Sequence, residues 1–436
     1  MLKKGDKKLI NAWAFYDWAN SVYSLVISTA VFPIYYSSLT ESFSNIEGKI
    51  NFLGTRWDPT TLYDYTLAFS FLIVAFLSPI LSGIADYTGN KLKFLKAFCL
   101  LGSLSVMSLF FFKGEETLWV GIVFTILASI GFWGSIVFYN AYLPEVAHPE
   151  QQDNVSAKGF ILGYVGSIIL LLLSLIMINK PELFGIPDAA MASRITFLIV
   201  GVWWFGFAQI TYSKLPNNIY NRKPEKDFIW KGLHELKIVA LELRNHPELK
   251  FFLSSFFMYS VGVQTIILMA GIFGSKELGL PTLDLIAVIL IVQVVGIVGA
   301  FLFSRLSDRI GNISSLKITV IIWSIICVSA FMLDKSQENV HYYFYSIGAL
   351  IGLVMGAIQS LSRSTYSKLL PETKDHATYF SFYDVTEKLA IVFGMIVFGL
   401  LVSLTGSMQW SVLFLAIFFL ISFVLLTFVG KTKYVQ

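Results

Sequence analysis

Asp17 stands alone in a long apolar run, and Ser21, Ser24 and Ser28 follow it at helical spacing, so a helix there carries one polar stripe. A second group lies near the other end of the chain. Ser381, Asp384 and Lys388 fall on one helical face with Glu387 beside them, and Asp384 precedes Lys388 in the i, i+4 order that favours an acid–base pair. An ionised side chain at the centre of a bilayer costs about 2.5–3.5 kcal/mol on insertion scales. Charges kept at that cost face a cavity, a proton path or a partner helix. Asp17, Asp384, Glu387 and Lys388 are therefore candidates for solute binding or proton coupling, with static helix pairing as the alternative. Asn20, Tyr139, Asn140, Gln264, Gln293 and Gln359 can serve a solute or act as hydrogen-bonding glue between helices. Arg363, at the edge of its apolar run, reaches a vestibule or snorkels to the interface.

These residues must be positioned by membrane-spanning helices. The 436 residues are 56% hydrophobic and 14% charged, and mean hydropathy is +0.70. Too little polar side chain is present to cover a water-exposed body. Apolar windows recur from Trp13–Tyr36 to Trp410–Val429, and twelve are long enough to cross roughly 30 Å of hydrocarbon. The reading is an all-α membrane protein. The first run is longer than a secretory signal core and contains Asp17, so an uncleaved first span is expected.

An even number of spans puts both termini on one side. Of the 32 Lys and Arg residues, 24 fall in the terminal tails and the loops on their side, 7 lie opposite, and Lys388 is inside a span. This bias predicts cytoplasmic termini, and it explains the net charge of +4 without a nucleic-acid partner; the expected setting is a bacterial inner (plasma) membrane.

The chain also repeats itself. Asp86, Gly89 and Asn90 after the second span match Asp308, Gly311 and Asn312 after the eighth, and Leu143-Pro144-Glu145 after the fourth matches Leu370-Pro371-Glu372 after the tenth. Two matches at the same places in each six-span half predict a duplicated six-plus-six architecture. Its expected division is residues 1–212, a cytoplasmic linker 213–250, and residues 251–436. Ile229, Leu233, Leu236, Ala240 and Leu243 recur at helical spacing within the linker and predict an amphipathic helix.

The two Asp-x-x-Gly-Asn turns are candidate cytoplasmic gates: Gly83, Asp86, Gly89 and Lys91 in the first half, Arg305, Asp308, Arg309 and Gly311 in the second. Glycine permits the tight reversal, and the acid pairs with a base or caps the next helix. Lys91 and Lys93 are the bases within reach of Asp86, and Arg305 and Arg309 those within reach of Asp308. Gly348, Gly352 and Gly356 in the tenth span, and Gly159 and Gly163 in the fifth, form small-residue ridges that allow close packing and sliding of helices.

Enzyme signatures are lacking. The histidines (His148, His234, His246, His341 and His376) have no metal-ligand spacing, Cys99 and Cys327 fall inside spans, and no phosphate-cradling Gly-x-x-x-x-Gly-Lys occurs. No enzymatic activity, cofactor or metal is expected.

Trp13-Ala14-Phe15-Tyr16-Asp17-Trp18-Ala19-Asn20-Ser21, followed by Phe32-Pro33-Ile34-Tyr35-Tyr36, resembles the opening motif of the vacuole-effluxer-like branch of the major facilitator superfamily. Phe138 to Glu145 and Gln359 to Ser364 are similar to later motifs of that branch, and Gly83 to Lys93 resembles the superfamily loop between helices two and three. Tyr87 stands where that loop usually has a basic residue, Ser304 replaces the glycine that opens the second copy, and Ser260-Val261 stands where relatives often carry Asn-Asp. The resemblance implies a major facilitator fold of two six-helix bundles and secondary transport of a small solute by alternating access, with amino acids or related metabolites as substrate class. Protons are the expected coupling ion, and a monomer in the lipid bilayer the expected form. Export of lipids or amphipathic drugs, and a non-transporting receptor or scaffold built around the linker, are the other readings.

Overall fold

The computed structural model describes residues 2–217 and 228–429. Twelve helices within them are long and apolar enough to span a membrane: Lys7–Phe43, Pro59–Thr88, Lys91–Phe111, Glu115–Val146, Pro149–Asn179, Ala189–Tyr212, Pro247–Glu277, Thr282–Ile310, Asn312–Phe331, Val340–Leu369, His376–Thr405 and Met408–Phe428. They are numbered here as the first to twelfth spans. Most run past the apolar windows at both ends, because capped polar turns extend them: Asp6 accepts from the Lys8 amide at 2.7 Å, and Asp58 from the Thr61 amide at 2.9 Å. The first span changes to a π-helix over Tyr23–Val31 before resuming as an α-helix at Phe32.

The side chains are arranged for an apolar solvent. Phe76, Ile396 and Leu420 are more than half exposed on span surfaces. Many buried hydroxyls instead bond back to their own helices, as Thr66 does to the Leu62 carbonyl at 2.7 Å and Ser103 to Cys99 at 2.5 Å. With no water in the hydrocarbon, a polar group left unsatisfied is costly, which favours such internal bonds. A short hairpin, Ile50–Phe52 with Thr55–Trp57, joins the first two spans.

The eighth and tenth spans approach backbone to backbone. A Cβ on Gly352 would lie 2.9 Å from Val292 Cα, and one on Gly356 would strike the Gly296 carbonyl. Gly159 and Gly163 likewise face Asp17 and Ser21 of the first span. The Gly348–Gly356 ridge thus packs the eighth and tenth spans within one half of the chain, whereas a Cβ on Gly159 would also come within 3.0 Å of Arg363 in the other half. Overpacking a core costs about 1–3 kcal/mol where side chains can yield, and backbone cannot. Gly356→Leu is expected to lower the yield of monodisperse protein in size-exclusion chromatography severalfold. Gly399→Leu, where an added Cβ meets nothing within 4 Å, should leave it unchanged.

A further helix, Phe228–Asn245, lies in the expected linker and packs against the second and eleventh spans. Val239 is buried there, and Glu242 accepts a hydrogen bond from the Tyr379 hydroxyl at 2.7 Å. Residues 218–227 and the side chains of Ile229, Leu233, Leu236 and Leu243 lie outside the described residues. The expected linker ends inside the seventh span, because Pro247, well suited to a helix start, begins that helix before the apolar window opens.

Candidate functional site

Arg363 of the tenth span is 2% exposed and neither snorkels nor reaches a vestibule. Its Nη1 and Nη2 each lie 3.2 Å from Asp17 Oδ2 on the first span. Nε donates to Ser156 Oγ at 2.9 Å, Nη2 to the Ser156 carbonyl at 2.8 Å, and Nη1 to Asn140 Oδ1 at 3.3 Å. Tyr139 donates to the same Asp17 oxygen at 2.8 Å. The guanidinium also sits 4.9 Å from the Trp13 ring, 5.4 Å from Tyr139 and 4.3 Å from Phe160. A planar, weakly hydrated cation suits such a setting, with one face for rings and an edge for oxygens.

The local sequence builds this pocket. Trp13 and Asp17 are one helical turn apart and share a face. Trp13 Nε1 donates to the Tyr139 carbonyl at 2.9 Å, which stacks the two rings at 4.5 Å. Gly159 leaves the room, since a Cβ there would collide with the Asp17 carboxylate. Asn20 is buried one turn on, with its Nδ2 unpaired, and Ser21 donates to Asn20 Oδ1 at 3.4 Å. Neither touches the ion pair.

Further polar contacts between the first and last six spans lie on the side of the amino terminus, where the Gly5 amide donates to the Val146 carbonyl. Asp86 caps the start of the eleventh span, accepting from the Thr378 amide at 2.7 Å, Thr378 Oγ1 at 2.9 Å and the Ala377 amide at 3.2 Å. Lys91 is 4.0 Å from Asp86 and ion-paired with Glu145, which also meets His376 Nδ1 at 3.0 Å. Asp153 collects Lys368 Nζ at 2.7 Å, Asn312 Nδ2 at 2.7 Å and Ser307 Oγ at 2.9 Å. Asn154 donates to Asp308 at 3.2 Å, and Tyr164 to Gln359 at 2.9 Å. Among the described residues, no hydrogen bond or ion pair joins the halves at the opposite end. The helices are therefore fastened together at the terminal end.

The two repeated turns differ in use. Gly89 and Gly311 both take positive φ, 70° and 85°, so glycine makes both reversals. Gly83 is buried in the second span. Lys93, Arg305 and Arg309 are exposed, and Arg305 lies 4.2 Å over the Phe301 ring of its own helix. Among the described residues Asp308 pairs with neither arginine. Arg309, adjacent in sequence, cannot share its helical face, and Arg305 turns toward Phe301 instead.

In the eleventh span, Lys388 Nζ is 3.1 Å from Asp384 Oδ1 and 3.2 Å from Glu387 Oε2. Gln264 of the seventh span donates to Glu387 Oε1 at 2.8 Å. The ammonium lies 3.4 Å from the centre of the Trp133 ring, which comes from the fourth span. Ser381 turns back to the Thr378 carbonyl, and Gln293 is half-buried apart from both clusters.

Sequence reasoning gave no role to Glu145, Asp153, Ser156, Lys368, His376 or Trp133. The Leu-Pro-Glu repeat marked Glu145 without its partners. Asp153 and Lys368 lie at polar helix ends, where charges ordinarily face water.

Residues 5–435 match the family described as vacuole effluxer Atg22 like. An uncharacterized MFS-type transporter of Bacillus subtilis (strain 168), YxiO, is 35% identical over 99% of this chain and 96% of its own length. Autophagy-related protein 22-1 of Penicillium rubens is 23% identical over 88% of this chain and 77% of its own. The fold is similar to that of the MFS transporter FucP in its outward conformation, with a TM-score of 0.67 at 13% identity over 98% of both chains. The human organic anion transporter MFSD10 gives 0.71 at 12% identity, over 97% of this chain and 100% of that one. With twelve helices apolar enough to span a membrane, the chain belongs to the vacuole effluxer Atg22-like family of major facilitator transporters.

Proposed function

We propose that this chain is a secondary active transporter that carries a small solute by alternating access, with residues 1–212 and 251–436 as the two moving units and 213–250 as their tether. The observation that carries the reading is the gathering of polar contacts between the halves at one end of the helices, around Asp17–Arg363, Asp86 and Asp153. A fastening at one end alone is what a carrier open to the other end requires. With the termini cytoplasmic, as the basic residues suggest, this is the outward-open state of a protein in the plasma membrane. Working as a monomer, it takes amino acids or related metabolites, the class that the resemblance of its Trp13 to Ser21 motif implies.

Asp17 is the proposed coupling residue. Protonation would remove the charge that holds Arg363 and so loosen the fastening. A thermal-shift screen against a metabolite collection supplies the solute, and counterflow in proteoliposomes with and without a pH gradient tests the coupling. Asp17→Asn is expected to exchange solute while losing accumulation driven by the gradient. Accumulation equal to wild type in that variant would eliminate the coupling role.

A further inference from the structure

We propose that Asp384, Glu387 and Trp133 form a binding site for a primary organic ammonium, and that the side chain of Lys388 fills it in the state seen here. Lys388 Nζ already makes the contacts such a ligand would make. It rests on the face of Trp133, 3.4 Å from the ring centre, between one oxygen of Asp384 and one of Glu387. An ammonium over an aromatic ring, fixed by carboxylates at its edge, is a general mode of amine recognition.

Two features go beyond what an internal ion pair needs. Asp384 and Lys388 neutralise each other, so Glu387 leaves the group with one negative charge in excess at membrane depth. Asp384 is 3% exposed, and its Oδ2 is buried without a hydrogen-bond partner although its Oδ1 meets Lys388. The orphan oxygen and the excess charge both call for a further cationic donor. Gln264 holds Glu387 in place, while Glu387, Trp133 and Gln264 are only half-buried, which leaves an approach. Trp133 belongs to the first six spans and the three charges to the last six, so relative motion of the halves would open and close the ring over the carboxylates.

The entering ammonium takes the ring face and the carboxylates, and Lys388 swings aside. If the ligand also carries a carboxylate, Lys388 is the group that can pair with it. As a statement about substrate class the inference rests on the transport reading; binding itself does not.

The test uses the purified full-length chain and n-butylammonium chloride, with sodium chloride at equal concentration as control, read by thermal unfolding. Lys388→Ala should gain a saturable upward shift with butylammonium beyond that with sodium, at a half-saturating concentration at least tenfold below that of the wild type. Adding Trp133→Leu should abolish the difference, and adding Glu387→Gln should weaken it at least fivefold. Lys388→Met, which keeps the aliphatic stem, serves if the alanine variant does not fold. Equal shifts with butylammonium and sodium in the folded Lys388 variant, or a shift indifferent to Trp133→Leu, would overturn the site. Intact binding without counterflow would count against the transport reading alone, and intact counterflow without binding against this site alone.

Discussion

Arg363→Gln is expected to cut solute flux at least tenfold and to destabilise the protein by about 3–5 kcal/mol, the usual cost of removing one partner from a buried ion pair. The loss arises mainly from what remains. Asp17 would keep the Tyr139 hydrogen bond but lose both guanidinium contacts, leaving a carboxylate charge uncompensated in a buried setting. Asp17→Asn combined with Arg363→Gln should therefore be more stable than Arg363→Gln alone, since no lone charge stays behind. Its flux should remain low, because the fastening between the first and tenth spans is gone. Arg363→Lys restores the charge and should recover only a small part of the stability. An ammonium cannot present the fork that reaches Asp17, Asn140 and Ser156 together, or lie flat beneath the rings of Trp13 and Phe160. Denaturant unfolding of the wild type, Asp17→Asn, Arg363→Gln and the double variant gives the coupling energy, with Arg363→Lys measured beside them, and counterflow gives the flux. A double variant no more stable than Arg363→Gln would show that the pair carries little of the stability.

How much of this was legible in the sequence depends on the range of the interaction. The twelve spans rest on local apolar length, and the structure bears them out with longer ends. Asp17 and the Asp384–Lys388 pair stood out as charges in apolar surroundings, and the second pairing was legible because its partners are one turn apart. Asp17 and Arg363 are separated by 346 positions. No local pattern links them, so the arginine at a span edge resembled an ordinary interfacial residue. Asp153 and Lys368 were illegible for a different reason. Both sit in polar helix ends that would meet water if the halves moved apart, so their burial rests on contacts between the halves. The duplicated turns were found from the repeat, but their division of labour was not. Asp86 reaches the eleventh span directly, whereas in the second copy Asp308 meets, among the described residues, the Asn154 side chain, and its neighbours Ser307 and Asn312 engage the buried Asp153.

That difference makes Asp153 the second residue whose loss should have a large effect. It is 1% exposed in the first turn of the fifth span and holds groups from the eighth, ninth and tenth spans at once. Asp153→Ala removes the common acceptor and leaves Lys368 as a cation that keeps, among the described residues, Asn312 Oδ1 at 3.0 Å. On the alternating-access reading proposed above, the contacts belong to the state fastened at the terminal end, so their loss weighs on that state alone. Two conformations of a carrier commonly differ by a few kcal/mol, and a broken buried pair worth about 3–5 kcal/mol is enough to invert such a balance. A cysteine in place of Ser360, which is buried in the seam where Ser156 donates to the residue 360 carbonyl at 2.8 Å, reports the change. Its labelling by a membrane-permeant maleimide should rise at least tenfold with Asp153→Ala, while the native Cys99 and Cys327 stay buried and silent. Adding Lys368→Met should restore much of the melting temperature, because the lone cation is removed, yet leave labelling high, because the fastening is still absent. If labelling instead returned to the wild-type rate along with the melting temperature, Asp153 would hold the fold together without holding the seam closed.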